Sequence, residues 1–393
     1  MKRLALAAFA ALVLAAPAAA GTPGVTKTQI LIGGTGPLTG SESAYEPVLS
    51  GANAYFQYVN AHGGIYGRKI VYRYLDDGYD PSQTVELTQQ LVEQDKVFAI
   101  FNTIGTEQSL AIRQYLAQQQ VPGLFAGTGA AGFGGPWTIG MLPTFGGEGA
   151  IYGKRIAATA PGAKIAVLYE DDTYGKELLA GLQSGLGAKA SQIVGTQSYT
   201  PTEATVASQV LSLKATGADT FVIFALPTQA ISAIVTADRI GWSPQEYVSS
   251  VSIDPAVMKI VKLNAGQTAG DGAISTAFLH DPTNPTQQSA PGVVLYGQIM
   301  KRYLPHEDPN AVAHLYGMMA AYALVDALRG AGRNPTRASL LAAATHLKET
   351  NPFLLPGITI ATSPQDHHPI GSTYLVRYGN GYWNVLGKPL PTG

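Results

Sequence analysis

Two short segments carry the residue types needed to hold an anion. Thr103-Ile-Gly105-Thr106 follows an apolar run from Val97 to Phe101 and precedes a helical stretch from Gln108 to Gln119. Ala126-Gly127-Thr128-Gly129 follows a second short run, Pro122 to Ala126. Turns at the C-terminal ends of parallel strands offer hydroxyls and free backbone N–H groups, and a helix start adds positive potential. A carboxylate is the group such turns would hold. Ordinary β–α connections fit the same spacing equally well.

Other patterns lead to less. Gly127-Thr-Gly-Ala-Ala-Gly132 matches the G-x-G-x-x-G dinucleotide fingerprint, with Glu148 at about the spacing of an acidic ribose partner. The fingerprint needs a helix opening at its last glycine, and Phe133-Gly134-Gly135-Pro136 cannot start one cleanly. There is no G-x-S-x-G elbow, P-loop, H-E-x-x-H or EF-hand loop. Asp366-His367-His368 is the only histidine cluster, and adjacent side chains tend to point apart, which disfavours a metal. Asp76-Asp77, Asp80 and Glu170-Asp171-Asp172 sit at strand ends, where capping explains them as well as acid–base work does. The sequence therefore suggests no catalytic residue, metal site or cofactor.

Composition sets the compartment. Lys2-Arg3, the apolar run Leu4 to Ala16, and Ala18-Ala19-Ala20 after Pro17 form the three-part pattern of a secretory leader, expected to be cleaved after Ala20. Losing Lys2 and Arg3 takes the formal net charge from −1 to −3, with no basic block for nucleic acid. The chain has no cysteine, so neither disulfides nor a lipid-modified cysteine is available, and free release into a periplasm is expected. A length of 393 residues implies two domains.

The elements that must position the two turns alternate. Strand-like runs at 29–33, 69–75, 97–101 and 122–126 interleave with helical patterns at 46–61, 80 onward and 108–119. A second series begins near Glu148: helices at 148–160, 175–185, 203–216 and 228–240, and strands at 164–169, 192–197 and 220–225. Met141 to Gly149, rich in Pro and Gly, reads as a hinge or linker between them. Helices at 311–328 and 336–347 and a hairpin turning at Gly379-Asn380-Gly381 close the chain. This is an α/β pattern of two Rossmann-like lobes, each a parallel-type sheet flanked by helices.

Several pieces in order carry a resemblance. They are Gly36-Pro-Leu-Thr-Gly40 with Tyr45, Asn60-Ala-His-Gly-Gly-Ile-Tyr-Gly67, and Asp76-Asp-Gly-Tyr-Asp-Pro81 with Gln83. Val121-Pro122 and Tyr169-Glu-Asp-Asp-Thr-Tyr-Gly175 complete the set. Together they resemble the branched-chain amino-acid binding proteins, the type I periplasmic binding proteins of ABC transporters, over nearly the whole chain after residue 20.

The resemblance implies a three-crossover hinge, with passages near 143–148, 276–282 and 356–361. One lobe would then hold residues 24–144 and 279–357, and the other 145–278 and 358–393. It implies a monomer that captures an apolar amino acid for ABC permease and ATPase subunits. A ligand-sensing role is the alternative. Expected contacts are Gly105 and Thr106 in the carboxylate turn, and Gly127, Thr128 and Gly129 in the second turn. Tyr45 would stand as the aromatic wall and Tyr174 would come from the closing lobe, with Phe145, Leu226 and Ser250 as further contacts. Where amino-acid-binding relatives carry an acid for the ammonium, this chain has Ser249-Ser250. An unpartnered buried ammonium costs several kcal/mol. An amino acid therefore needs Glu148 or Asp171 to reach in, whereas an aromatic or aliphatic carboxylate suits Ser250 and Leu226 directly.

Overall fold

A computed structural model describes residues 21–393, and the leader read over residues 1–20 lies outside it. The chain first builds β1 (Gln29–Gly36), α1 (Glu46–Ala61), β2 (Lys69–Asp76), α2 (Pro81–Gln89), β3 (Ala99–Phe101), α3 (Thr106–Gln119), β4 (Gly123–Ala126) and β5 (Thr138–Gly140). The five strands form one parallel sheet in the order β2-β1-β3-β4-β5. Capping explains the helix starts: Asp80 accepts from Ser82 N at 2.7 Å with Pro81 in the first turn, so α2 begins where proline needs no partner for its nitrogen.

The chain then crosses to a second series. It comprises α4 (Phe145–Thr159), β6 (Ile165–Glu170), α5 (Thr173–Leu186), β7 (Ile193–Tyr199), α6 (Ala207–Ala215), β8 (Thr220–Phe224), α7 (Pro227–Arg239), β9 (Gln245–Val248), α8 (Pro255–Asn264) and β10 (Ile274–Ala277). It returns through α9 (Pro291–Tyr303), α10 (Val312–Gly330), α11 (Arg337–Ala344) and a two-stranded ladder, β11 (Lys348–Glu349) with β12 (Ile360–Ala361). The hairpin β13 (Ser372–Gly379) and β14 (Tyr382–Pro391) completes the second sheet, ordered β14-β13-β10-β9-β8-β6-β7. Only that hairpin is antiparallel, pairing through β13 with β10.

Each sheet has its own core. Phe56, Phe101, Met318, Leu324 and Phe353 meet around the first, so α9 to α11 pack there despite their late position. Helix α10 is apolar nearly all round because it is buried on most of its faces. Phe221 and Trp242 anchor one face of the second sheet, and Tyr152, Leu182 and Phe224 the other.

Two expectations change here. The glycine-rich stretch read as a linker, Met141 to Gly149, is a helix from Phe145 onward: Thr144 caps it, its Oγ1 accepting from Gly147 N at 3.2 Å. The last return to the second sheet comes after Ile370, not at 356–361. Ile358, Ile360 and Ile370 are buried in the first core, and β13 starts only at Ser372. Burial of three isoleucines holds that segment where the resemblance alone would release it.

Candidate functional site

The strand ends of the two sheets face one another across a cavity of about 560 Å³. At one end lie the β3–α3 and β4 turns. Gly105 adopts φ 108°, a conformation that favours glycine, and caps α3 where a Cβ would collide with Gln108. The Gln108 side chain in turn donates to Tyr79 O at 2.6 Å, fixing the loop that brings Tyr79 to the cavity.

Thr106 Oγ1 lies 3.0 Å from Thr128 Oγ1, and Thr128 Oγ1 accepts from Ala130 N at 3.1 Å. A hydroxyl has one hydrogen. With Thr128 donating to Thr106, the Thr106 hydrogen is left for an oxygen in the cavity. Thr106, Gly105 and Gly127 line the cavity; Thr128 and Gly129 stand behind them. Gly129 is pressed against the Pro143 carbonyl, which leaves no room for a side chain there.

The opposite wall comes from the second sheet. Tyr174, at the start of α5, meets Phe145, at the start of α4, edge to face at 5.0 Å between centroids. Tyr174, Phe145, Leu226 and Ser250 all line the cavity, as does Tyr45 from the first series. Sequence reading missed Tyr79, Val251, Ile253, Phe278, Tyr316 and Trp383, which also line it. Tyr79 lies inside the quoted Asp76-to-Pro81 motif. Tyr316 and Trp383 lie in a helix and a hairpin that the sequence reveals, but nothing local turns them toward a cavity. Val251, Ile253 and Phe278 lie at strand ends in stretches without a local signal.

The halves meet directly. Tyr45 Oη donates to Val251 O at 3.3 Å, Thr228 Oγ1 to Ser41 O at 2.7 Å, and Thr173 N to Glu107 Oε1 at 3.0 Å. Gln229 Nε2 donates to Glu42 Oε1 at 3.3 Å, and burial there pushes the Glu42 carboxyl up to about 7. Glu170 and Asp172, across the same seam, are also raised, first by burial and also by neighbouring carboxylates.

Neither candidate acid lines the cavity. Glu148 is buried behind Ser250, accepting from Ser250 N at 2.8 Å, Ser250 Oγ at 2.5 Å and Tyr152 Oη at 2.9 Å. Burial raises its carboxyl above the ordinary range. Asp171 is exposed and pairs with Lys176 at 2.8 Å. The histidine cluster behaves as its adjacency suggests: His367 Nδ1 meets Thr138 O at 2.9 Å while His368 Nε2 faces Ala130 O at 3.4 Å. The residues after Gly132 lead through a turn into β5 and open no helix.

Two helix-flanked sheets closing over a cleft at their strand ends define a clamshell binder of small molecules, and solved structures share that fold. A branched-chain amino acid ABC transporter protein from Thermus thermophilus with bound valine superposes with a TM-score of 0.83 at 16% identity, covering 93% of this chain and 97% of the other. A solute binding protein from R. palustris in complex with benzoate gives 0.75 at 18% identity, covering 91% and 96%. The chain belongs to the periplasmic binding protein family, whose model matches residues 29–382. An amino acid binding protein from Pseudomonas aeruginosa is 26% identical over 195 residues, which is 49% of this chain and 52% of that relative. The match thus spans about half the length of that relative.

Proposed function

We propose that the chain is exported, loses residues 1–20 by cleavage after Ala20, and works in the periplasm as a monomer. There it captures a branched-chain or other apolar amino acid for the permease and ATPase subunits of an ABC uptake transporter. The carrying observation is the cavity between the two sheets, with Thr106 and the α3 start at one end and Tyr45, Phe145, Tyr174 and Leu226 as apolar walls. A carboxylate at the helix start is stabilised by the dipole and by hydrogen bonds made in a dry site. The ligand leaves chemically unchanged. One lobe comprises the first sheet with its return helices and the other the second sheet, and they hinge at the three chain passages.

A second reading has its own support. Glu148, the acid bonded to Ser250, accepts three hydrogen bonds from the protein and stands behind the wall. An aromatic or aliphatic carboxylate lacking the amino group needs no such acid.

Thermal unfolding of protein refolded free of ligand tests both. A ligand at 1,000 times its Kd adds about 4 kcal/mol, a shift of several degrees. A shift with leucine or phenylalanine alone supports the amino-acid reading. A shift with only the deaminated acids supports the second. No shift with either class overturns the capture of carboxylates.

A further inference from the structure

We infer that the cleft takes a ligand longer than an amino acid: a monocarboxylate whose apolar tail runs from the α3 start to a mouth between α8 and α10. This rests on the capture reading above and specifies its substrate class.

Size is the first argument. The cavity holds about 560 Å³, whereas a dry cavity of about 150 Å³ already accepts benzene. An amino acid would leave most of the space unfilled, and unfilled apolar space forfeits contact energy.

Shape is the second. On the second sheet the lining runs from Tyr174 after β6, through Leu226 after β8 and Ser250 after β9, to Phe278 after β10. Those strands are consecutive neighbours, so three spacings of about 4.8 Å make the floor roughly 14 Å long. On the first sheet the lining leaves the β3 and β4 turns, crosses Val48 on α1 and reaches Val312 and Tyr316 on α10.

Chemistry changes along that path. No lysine or arginine lines the cavity among the described residues, so a carboxylate finds no cation there. The α3 start adds its helix dipole to the Thr106 hydroxyl at one end, while Tyr316 Oη and Trp383 Nε1 are neutral donors elsewhere in the lining. The far end carries Asp254, Asp281 and His280. Both Asp254 oxygens accept backbone N–H groups, from Ala256 at 2.8 Å and Ala313 at 2.9 Å. Asp281 accepts from Thr283 N at 2.8 Å and Trp383 N at 3.1 Å, and His280 Nδ1 meets Gln287 at 2.8 Å. These groups are engaged by the protein, and their carboxylates repel a second anion, which orients the ligand head toward α3. Between them the walls are Val48, Val257, Phe278 and Tyr316. Ile260 stands at the rim, 43% exposed and still lining the cavity.

Calorimetric titration of ligand-free protein with straight-chain carboxylates, butanoate to tetradecanoate, tests this, with leucine as reference. Affinity should rise about fourfold per methylene until the tail reaches the mouth, then level. Ile260→Asp should weaken dodecanoate at least tenfold and butanoate less than twofold, while Thr106→Ala should weaken every member alike. Affinity that peaks at leucine-sized ligands and falls beyond them overturns the extension and leaves the capture reading standing. Equal dodecanoate affinity in wild type and Ile260→Asp also overturns it. Silence of the whole series and of leucine removes the capture reading itself.

Discussion

Among single residues, the paired threonines Thr106 and Thr128 give the proposed carboxylate site its sharpest test. Thr128 is fully enclosed: its hydroxyl accepts the Ala130 N–H and shares a hydrogen bond with Thr106 in which either hydroxyl can donate. Hydrogen bonds to charged groups are worth about 1.5–3 kcal/mol, so Thr106→Ala should lower affinity for a carboxylate by roughly ten- to a hundredfold. Thr106→Ser should keep most of it. Thr128→Val removes the hydroxyl beside Thr106 and strands the Ala130 N–H, so several-fold weaker binding together with a lowered melting temperature is the expected result. Isothermal titration beside a thermal melt separates the two effects. Unchanged affinity in Thr106→Ala would place the carboxylate elsewhere.

Helix packing determines whether those residues meet. Helices α4 and α5 lie backbone to backbone because glycines face one another: a Cβ on Gly149 or Gly153 would run into the Leu178 or Leu182 carbonyl, and one on Gly181 or Gly185 into the Gly146 or Ala150 carbonyl. Helices α1 and α10 use the same device at Gly51 and Gly317, opposite the His314 and Val48 carbonyls. The first pair carries Phe145 and Tyr174, and the second carries Val48 and Tyr316, so both ends of the cavity depend on close approach. Overpacking costs about 1–3 kcal/mol. Gly153→Val should lower stability by that amount and also weaken ligand binding, because α5 would shift and take Tyr174 with it. A destabilised variant with wild-type affinity would show that the helix pair does not set the wall.

For the whole molecule, the carboxyls buried between the two sheets predict a pH dependence. Glu42 titrates at about 7 when folded and buried, against 4.5 when free. Between those values the folded form keeps a proton that the unfolded form has lost, so stability falls as pH rises through that window. Burial also raises Glu170 and Asp172, which act in the same direction. Opening the cleft would rehydrate Glu42, so closure and ligand affinity should share that sign. Melting temperature and affinity are therefore expected to decline from about pH 5 to pH 7. The Glu42→Gln variant should flatten part of the slope, and a slope of the opposite sign would show that the seam stays solvated.

Local signals carried the alternating elements and the turn at Gly105-Thr106, because apolar runs, Gly and Pro breaks and N-caps act within a few residues. Tyr45, Phe145, Tyr174, Leu226 and Ser250 carried no local signal; only the resemblance across the whole chain named them, and the structure lines one cavity with them. Helix α4 was hidden by its own glycines, whose poor helix propensity is outweighed by packing on α5. Helices α8 and α9 and strands β5, β9 and β10 lay in stretches where no periodicity stood out. Which sheet receives residues 358–370, how Ser250 engages Glu148, and how far the cleft extends toward α10 are all contacts between distant segments. Such contacts depend on the whole chain's burial of apolar area, so only the tertiary structure could decide them.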